Sequence, residues 1–343
     1  MKKNFFYFAF AAVAAISLTA CSSDDDSNDG GSTTPTVNLP RPANAGNAAV
    51  YTLAGGGVTS STTVQGEEHA PVLNSLEVTE SEQVLFQITQ VDNTPFYVID
   101  RPTVVGNTFT FNSDKVKGTI QRIERVAASR QGIVEYALIL NFTIYNAGNP
   151  IEFKTAPEGV PATKQPTPAA STDDNTTISL CRTWNFVTGN LPAATFDVHV
   201  ANSNTEAFKE FYAQNDNQNI YFDLEKILNE ALERDVALSQ KDRDDMKRKI
   251  KNITVTADEF IIAYADSRGD DVANWSWVDS QQKKTMKIQL KNNKMGNKFF
   301  NNDTKIGVEF NGNRCNLELE VLFADDNGKK WNSSLTVHMQ DAN

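Results

Sequence analysis

Hydrophobic and polar residues alternate with a period of two along most of the chain from about residue 47 onwards. This alternation is typical of half-buried β-strands. Over residues 47–155 it predicts a small antiparallel β domain, sandwich-like, and no helix. The predicted strands of this domain are 84–88, 96–99, 108–111, 119–123 and 133–145.

A second set of strands occupies residues 178–343 and is interrupted by a helical pattern. Apolar residues from Leu224 to Leu232 recur at helical spacing, so we expect a helical insertion over 204–250. The predicted strands around it are 179–187, 195–200, 252–257, 259–265, 273–278, 284–290, 305–310, 314–323 and 331–339. About nine antiparallel strands are enough to close a β-barrel and leave no exposed edge.

The segment between the two sets of strands, residues 156–177, has a different composition. It contains four prolines among Ala, Thr and Ser residues. Such a composition favours a stiff polar connection. We therefore expect a linker at 156–177 and a domain boundary within it.

The first twenty residues have the order of a secretory signal. Lys2 and Lys3 precede an apolar run from Phe5 to Leu18, and small residues follow. The apolar run is shorter than the roughly 20 residues of a membrane-spanning helix. We therefore predict that residues 1–20 are a signal peptide.

The junction Leu18-Thr19-Ala20-Cys21 resembles the lipobox of bacterial lipoproteins. In that motif the Cys receives lipid and becomes the first residue of the mature protein. The resemblance implies that Cys21 is lipidated and that the protein is held at the membrane by its acyl chains. The alternative is an ordinary signal peptide with a Cys at this position by chance.

Residues 21–46 form a Ser/Asp/Gly-rich tether that is too polar to fold alone. Its acidic cluster, Asp24 to Asp26, either extends the tether by charge repulsion or resembles the surface-export signal of Bacteroidota lipoproteins. The second interpretation implies localisation to the outer membrane, facing the cell exterior.

The second set of strands resembles the lipocalin-like C-terminal domains of Bacteroidota surface lipoproteins. The resemblance covers about half of the chain and implies a calycin-like antiparallel β-barrel with an unassigned function. It rests on six short motifs: Cys181-Arg-Thr-Trp184, Ile253-Thr-Val-Thr, Trp275-Ser-Trp277, Met295-Gly-Asn, Val308-Glu-Phe and Arg314-Cys315-Asn316-Leu317.

Composition and charge exclude several classes of function. The formal net charge of −11 disfavours a nucleic-acid partner, because phosphate binding needs a basic face. The three His residues, at 69, 199 and 338, have no metal-ligand spacing, and no P-loop, G-x-S-x-G or other cofactor motif is present. We expect no metal, no cofactor, no catalytic residue and no enzymatic activity.

Two features of the barrel segment have alternative interpretations. Cys181 and Cys315 are the remaining thiols and are either a candidate disulfide or two buried apolar residues. Trp275 and Trp277 share one face of a strand. With Tyr264 and Phe310, they either line a ligand cavity in the barrel or fill its core.

These observations predict a lipid-anchored envelope lipoprotein that binds a small apolar molecule or a glycan. A structural or accessory component that docks with outer-membrane proteins is the alternative. The abundant carboxylates leave a glycoside hydrolase as a third hypothesis, because its two acids need only meet in space.

Overall fold

The fold was analysed in a computed structural model of the full chain. The structure describes residues 39–44, 46–62, 69–125, 135–167, 170–171, 174–187, 194–199, 221–222, 248, 250–291, 304–324 and 330–342.

The N-terminal domain is built on one antiparallel sheet of eleven strands. The strand order is β5-β4-β3-β1-β11-β9-β8-β7-β6, while β2 pairs with β3 and β10 pairs with β9. The strands are β1 (Ala49–Leu53), β2 (Val58–Thr59), β3 (Val72–Val78), β4 (Val84–Thr89), β5 (Pro95–Asp100), β6 (Thr103–Val105), β7 (Thr108–Asn112), β8 (Val116–Arg125), β9 (Glu135–Asn146), β10 (Asn149–Lys154) and β11 (Val160–Pro166).

This sheet curves into a half-barrel around its own hydrophobic core. Alternate residues of its strands point inward, as the period-two pattern predicts. Phe86 lies near the middle of this core, with its ring centroid 5.3 Å from that of Phe111 and 5.2 Å from that of Phe142. Aromatic side chains therefore pack against one another on the inner face of the sheet.

The predicted linker at 156–177 is wrong over part of its length, because residues 160–166 form β11 between β1 and β9. Pro161 pairs only with β9 and Pro166 only with β1. Proline lacks an N–H group, so it is tolerated where a strand has a neighbour on one side only. The alternating Val160 and Ala162 contribute to the core, and the segment belongs to the first domain.

The C-terminal domain contains a closed antiparallel β-barrel of eight strands. The strand order is β12-β15-β16-β17-β18-β19-β20-β21, and β12 pairs with β21 to close the barrel. Two further strands, β13 and β14, extend from β21. The strands are β12 (Thr183–Phe186), β13 (Ala194–His199), β14 (Tyr221–Phe222), β15 (Ile250–Val255), β16 (Glu259–Tyr264), β17 (Asp271–Trp277), β18 (Thr285–Leu290), β19 (Lys305–Asn311), β20 (Arg314–Ala324) and β21 (Lys330–Asp341).

The mainly-β prediction with two antiparallel units, the second a barrel, is confirmed. The predicted strand at 179–187 starts too early, because helix α1 (Asn175–Leu180) precedes β12. The side chain of Asp174 caps this helix by accepting a hydrogen bond from Thr177 N. The predicted helical insertion at 204–250 lies outside the described residues apart from β14, Arg248 and Ile250.

The two domains pack against each other through a third apolar cluster. On the first domain it consists of Leu85, Tyr97 and Ile99, which lie on the outer face of β4 and β5. On the barrel it consists of the outward-facing residues Ile261 and Ala263 of β16 and Val272 of β17. All six side chains are buried, so this part of the contact between the two domains is apolar.

Candidate functional site

The four aromatic residues proposed to line a barrel cavity belong to the barrel core. Tyr264 and Trp275 are buried, and Trp277 and Phe310 pack against them while partly exposed. The two indoles meet edge to face, with 5.2 Å between ring centroids. Phe310 packs against Trp184 with 6.2 Å between ring centroids.

Hydrogen bonds and ring contacts fix three of these side chains in place. Trp275 Nε1 donates to Thr256 O at 2.8 Å, and Trp277 Nε1 donates to Thr177 Oγ1 at 2.8 Å. The hydroxyl of Tyr264 donates to Asp271 at 2.8 Å. Burial and the neighbouring carboxylate of Asp271 raise the pKa of this phenol well above its usual range. Because these polar ends are paired within the protein and the rings lie in or against the buried cluster, these side chains are core residues of the barrel.

Cys181 and Cys315 are free thiols in the structure, which therefore lacks the candidate disulfide. Both side chains are fully buried in the barrel core. Burial raises the pKa of each thiol, which disfavours the reactive thiolate. Both cysteines therefore act as small apolar core residues.

Asp270 links the two domains through buried polar contacts. Its carboxylate pairs with Lys115 Nζ at 2.5 Å and accepts hydrogen bonds from Ile99 N at 2.7 Å and Tyr264 N at 2.8 Å. Its own backbone N–H donates to Tyr97 O at 2.8 Å. The side chains of Lys115 and Asp270 are 5% and 0% exposed, so this ion pair is shielded from solvent.

A pair of acidic residues also lies at the domain interface. Glu77 of β3 and Glu259 of β16 are 9% and 6% exposed, and their carboxyl groups are within hydrogen-bonding distance of each other. Burial, followed by the charge of Glu259, raises the pKa of Glu77 to about 9. Glu259 also forms an ion pair with Lys291 Nζ.

This acidic pair does not have the geometry of a glycoside hydrolase. The catalytic acids of those enzymes lie roughly 5–9.5 Å apart on either side of a sugar. Glu77 and Glu259 contact each other directly and are buried between two domains. We therefore assign this pair to the interface rather than to catalysis.

A cleft of about 230 Å³ opens where the two domains meet. The first domain contributes the end of β5 and the turn before β4, and the barrel contributes β12, β15, β16 and the residue after β21. The lining residues are Gln83, Ile99, Asp100, Arg101, Thr183, Asn185, Lys251, Asn252, Ala263 and Ala342. Seven of these ten residues are polar or charged.

The floor of the cleft is the outer face of two paired barrel strands. Thr183 lies opposite Thr254, and Asn185 lies opposite Asn252 in the next outward-facing pair. Gln83 Oε1 of the first domain accepts hydrogen bonds from Thr183 Oγ1 at 3.1 Å and from Thr254 Oγ1 at 2.5 Å. Gln83 therefore fixes the first domain to this face of the barrel.

Charged residues lie beside this floor. Arg101 Nη2 donates to Ser81 O at 3.0 Å, and Lys251 occupies the position where the register between β15 and β16 shifts. The carboxylate of Asp100 accepts hydrogen bonds from Ser113 Oγ at 2.6 Å and Arg101 N at 3.0 Å. Burial raises the pKa of Asp100 despite these two bonds.

Other residues singled out in the sequence are not gathered into a site. His338 Nδ1 lies 2.8 Å from Asn316 Oδ1, and His69 is exposed at the surface. The side chain of His199 lies outside the described residues. Within the described ranges, no group of three or more His, Cys, Asp or Glu residues could hold a metal ion.

Cys21, the predicted signal peptide and residues 21–38 of the predicted tether lie outside the described residues. The prediction of a tether up to residue 46 is wrong at its end, because Leu39 packs against the barrel core and Arg182 Nη2 donates to Pro40 O at 2.9 Å. In the part of the chain that is described, no helix is long and apolar enough to cross a membrane.

The cleft was not anticipated from the sequence. Asn252 and Thr254 alternate with the core residues Ile253 and Val255, and this pattern is typical of a strand with one solvent-facing side. That side is instead covered by the first domain, so Asn252 and Thr254 are only 8% and 0% exposed. A local pattern does not reveal which distant segment covers a polar face.

No protein-family model and no curated protein matches the chain. A protein of unknown function from the DUF3598 family of Nostoc punctiforme is similar over 86% of this chain and 94% of its own, with 7% identity and a TM-score of 0.18. A protein provisionally named an outer membrane protein, from Bacteroides fragilis, is similar over 87% of this chain and 98% of its own, with 10% identity and a TM-score of 0.17. TM-scores this low support no inference about the fold or function of this chain.

Proposed function

We propose that the protein is a lipid-anchored lipoprotein of the cell envelope, displayed at the outer-membrane surface, that binds a small polar molecule such as a glycan fragment. The proposal assigns it no enzymatic activity. The anchor restricts the folded domains to the membrane surface, and the polar residues 21–38 separate them from it.

The observation that carries the proposal is the order of residues at the N-terminus. Lys2 and Lys3, the apolar run and the Leu18–Cys21 motif follow one another as they do in bacterial lipoproteins. Three acyl chains would anchor the protein far more strongly than one, because each buried CH₂ contributes about 0.8 kcal/mol.

We place the proposed binding site at the interface between the two domains and not inside the barrel. The aromatic residues of the barrel are packed and hydrogen-bonded, which removes the support for an apolar ligand among them. The cleft instead presents polar groups from both domains around about 230 Å³ of open space. Small-molecule sites are concave and fix the orientation of the ligand through a few precisely placed polar groups, and the cleft offers such groups.

Membrane fractionation of cells that express the full chain tests the anchoring. We expect the wild-type protein to partition into the detergent phase and to incorporate a palmitate analogue, because Cys21 carries the lipid. The Cys21→Ser variant should do neither, while the neighbouring Ser23→Ala variant should behave as the wild type. Equal palmitate incorporation by wild type and Cys21→Ser would refute the proposed anchor.

Protease treatment of intact cells tests the surface display separately. We expect wild-type protein to be digested from outside the cell. Replacing Asp24, Asp25 and Asp26 by Asn should protect the protein, because the export signal would be lost while lipidation remains. Unchanged digestion of this variant would assign the acidic cluster to the tether alone.

A further inference from the structure

Three amide side chains converge on the cleft with unused hydrogen-bonding groups. Gln83 is 5% exposed, and its Oε1 atom is held by the hydroxyls of Thr183 and Thr254. With the oxygen fixed on that side, the Nε2 group faces away from the two threonines, and no residue in the described ranges accepts a hydrogen bond from it. Gln83 therefore presents N–H donors towards the cleft that it lines.

Asn185 and Asn252 form the next pair on the cleft floor. They lie directly opposite each other on β12 and β15. Asn252 is 8% exposed, and its Oδ1 atom is buried without a hydrogen-bond partner among the described residues. The described part of the chain also gives the Asn185 amide no bond. Rotation of either side-chain amide by 180° exchanges the positions of its N–H donor and its oxygen acceptor. A hydroxyl group in the cleft, which both donates and accepts, can therefore form hydrogen bonds with both residues.

A buried polar atom without a partner is unfavourable, and folded proteins seldom retain one without a reason. Among the residues that line the cleft, Asn252 Oδ1 is such an atom, and Gln83 of the first domain and Asn185 of the barrel line the same cleft. Their chemistry, amide donors and acceptors side by side, matches hydroxyl groups, which both donate and accept. The unused amides therefore point to a hydroxylated ligand.

The charges beside the amides add a second element of selectivity. Arg101 and Lys251 contribute two positive charges to the lining. The single acid, Asp100, has its carboxylate oxygens occupied by Ser113 and by the backbone of Arg101. Two cations against one acid give the lining a net positive charge, although Asp100 lies close enough to Lys251 for their charges to interact. This net charge favours an anionic group on the ligand.

The size of the cleft limits the ligand to about one sugar ring. A volume of about 230 Å³ corresponds to roughly eight water molecules, at about 30 Å³ each. Ile99, Ala263 and Ala342 supply small apolar surfaces but no aromatic ring for stacking. Recognition would therefore depend on hydrogen bonds and charge.

We propose that this cleft binds a hydroxylated carboxylate of monosaccharide size, the chemistry of a uronic acid. Its hydroxyl groups pair with Gln83, Asn185 and Asn252, and its carboxylate faces Lys251 and Arg101. This inference rests on the proposed binding function and adds to it the residues that contact the ligand and the class of ligand.

Calorimetric titration of the full chain with D-glucuronate, D-glucose and acetate tests the proposal. We expect D-glucuronate to bind, and D-glucose and acetate each to bind about tenfold more weakly, because each lacks one of the two recognised groups. Asn185→Ala should weaken D-glucuronate binding about tenfold, since it removes one amide from the floor. Lys251→Met should weaken D-glucuronate binding and leave D-glucose binding unchanged.

Matched variants on the outer surface of the barrel serve as controls. Asn274→Ala and Lys305→Met change exposed residues of β17 and β19 outside the cleft, and both should bind D-glucuronate like the wild type. No heat from D-glucuronate, or equal affinity for D-glucose, would overturn the proposed ligand class. Binding of any sugar that survives Asn185→Ala and Lys251→Met unchanged would overturn the site and leave the proposed binding function standing.

Discussion

At the scale of single residues, the carboxyl group of Glu77 has a strongly raised pKa. This group contacts the carboxyl group of Glu259 across the domain interface, and burial with that neighbouring charge raises the pKa of Glu77 to about 9. Glu77 Oε1 and Glu259 Oε2 are also buried without a hydrogen-bond partner among the described residues. One proton shared between the two carboxyl groups lets one of them donate a hydrogen bond to the other.

The shared proton makes stability depend on pH. The pKa of Glu77 is about 9 in the folded protein, against 4.5 for an unperturbed Glu. Between these values the folded state binds one proton more than the unfolded state. The stabilisation is therefore complete below pH 4.5 and is lost as the pH rises towards 9, with a slope of at most about 1.4 kcal/mol per pH unit.

Glu77→Gln should remove this dependence, because the amide N–H of Gln donates to Glu259 at any pH. We expect urea titrations from pH 5 to pH 9 to show a flatter stability profile for this variant. At pH 8 its free energy of unfolding should exceed that of the wild type by about 1 kcal/mol or more. Glu135→Gln changes an exposed acid and should retain the wild-type slope. An unchanged slope in Glu77→Gln would show that Glu77 is ionised at neutral pH.

At the scale of elements, the loop between β16 and β17 holds the domains together. This loop contains Arg268-Gly269-Asp270. The buried ion pair of Asp270 with Lys115 fixes the loop at the interface between the two domains. Gly269 has φ +91°, and a Cβ atom added there would lie 2.5 Å from Phe96 Cε2 and 3.2 Å from Tyr97 O. The close approach of the first domain therefore requires glycine at this position.

Gly269→Ala should destabilise the protein in two ways. The strained backbone alone costs about 1–3 kcal/mol, and the clash with Phe96 adds to this cost. Gly312→Ala is the matched control, because Gly312 has φ +61° but no atom within 4 Å of an added Cβ. Chemical denaturation should show a clearly larger loss for Gly269→Ala. Equal losses in the two variants would mean that the contact with Phe96 does not constrain the loop.

Some strands were predicted correctly from the local sequence pattern, and other elements were not. The predicted strand 259–265 corresponds to β16 (Glu259–Tyr264), which is an unbroken apolar run after its first residue. The predicted strand 314–323 corresponds to β20 (Arg314–Ala324), which alternates strongly. β11 was missed because its prolines suggest a linker, although each proline needs only one pairing partner. Helix α1 was missed because residues up to 177 were assigned to the linker and residues from 179 to a strand, whereas the cap at Asp174 favours a helix.

At the scale of the whole molecule, the two domains share an apolar interface between Ile99 of the first domain and Ile261 of the second. The sequence holds part of this signal, because the outward positions of β5 and β16 are apolar where a solvent-facing strand would be polar. It does not show which distant segment covers them. The candidate site could not be predicted from the sequence for the same reason. Its floor and its walls come from segments about 100 residues or more apart, such as those of Gln83 and Thr183.

The shared interface predicts that both domains unfold together. All four tryptophans, at 184, 275, 277 and 331, lie in the second domain, so their fluorescence reports on that domain alone. Far-UV circular dichroism reports on strands of both. We expect the two signals to give the same denaturation midpoint in the wild type, because neither outer wall is stable when exposed.

Ile261→Asp should separate the two midpoints, since it places a charge in the apolar interface while facing away from the barrel core. Ser276→Asp, on an exposed position of β17, should leave them together. Two separate transitions in the wild type would show that the domains are energetically independent.

The mass of the mature N-terminus tests the central claim most directly. Intact-mass and peptide analysis of the protein purified from bacterial membranes should find a chain that starts at Cys21, with no residue before it and with acyl chains added to this Cys. A mature chain that starts elsewhere, or one that starts at Cys21 with an unmodified thiol, would contradict the lipid anchor and the envelope function built on it.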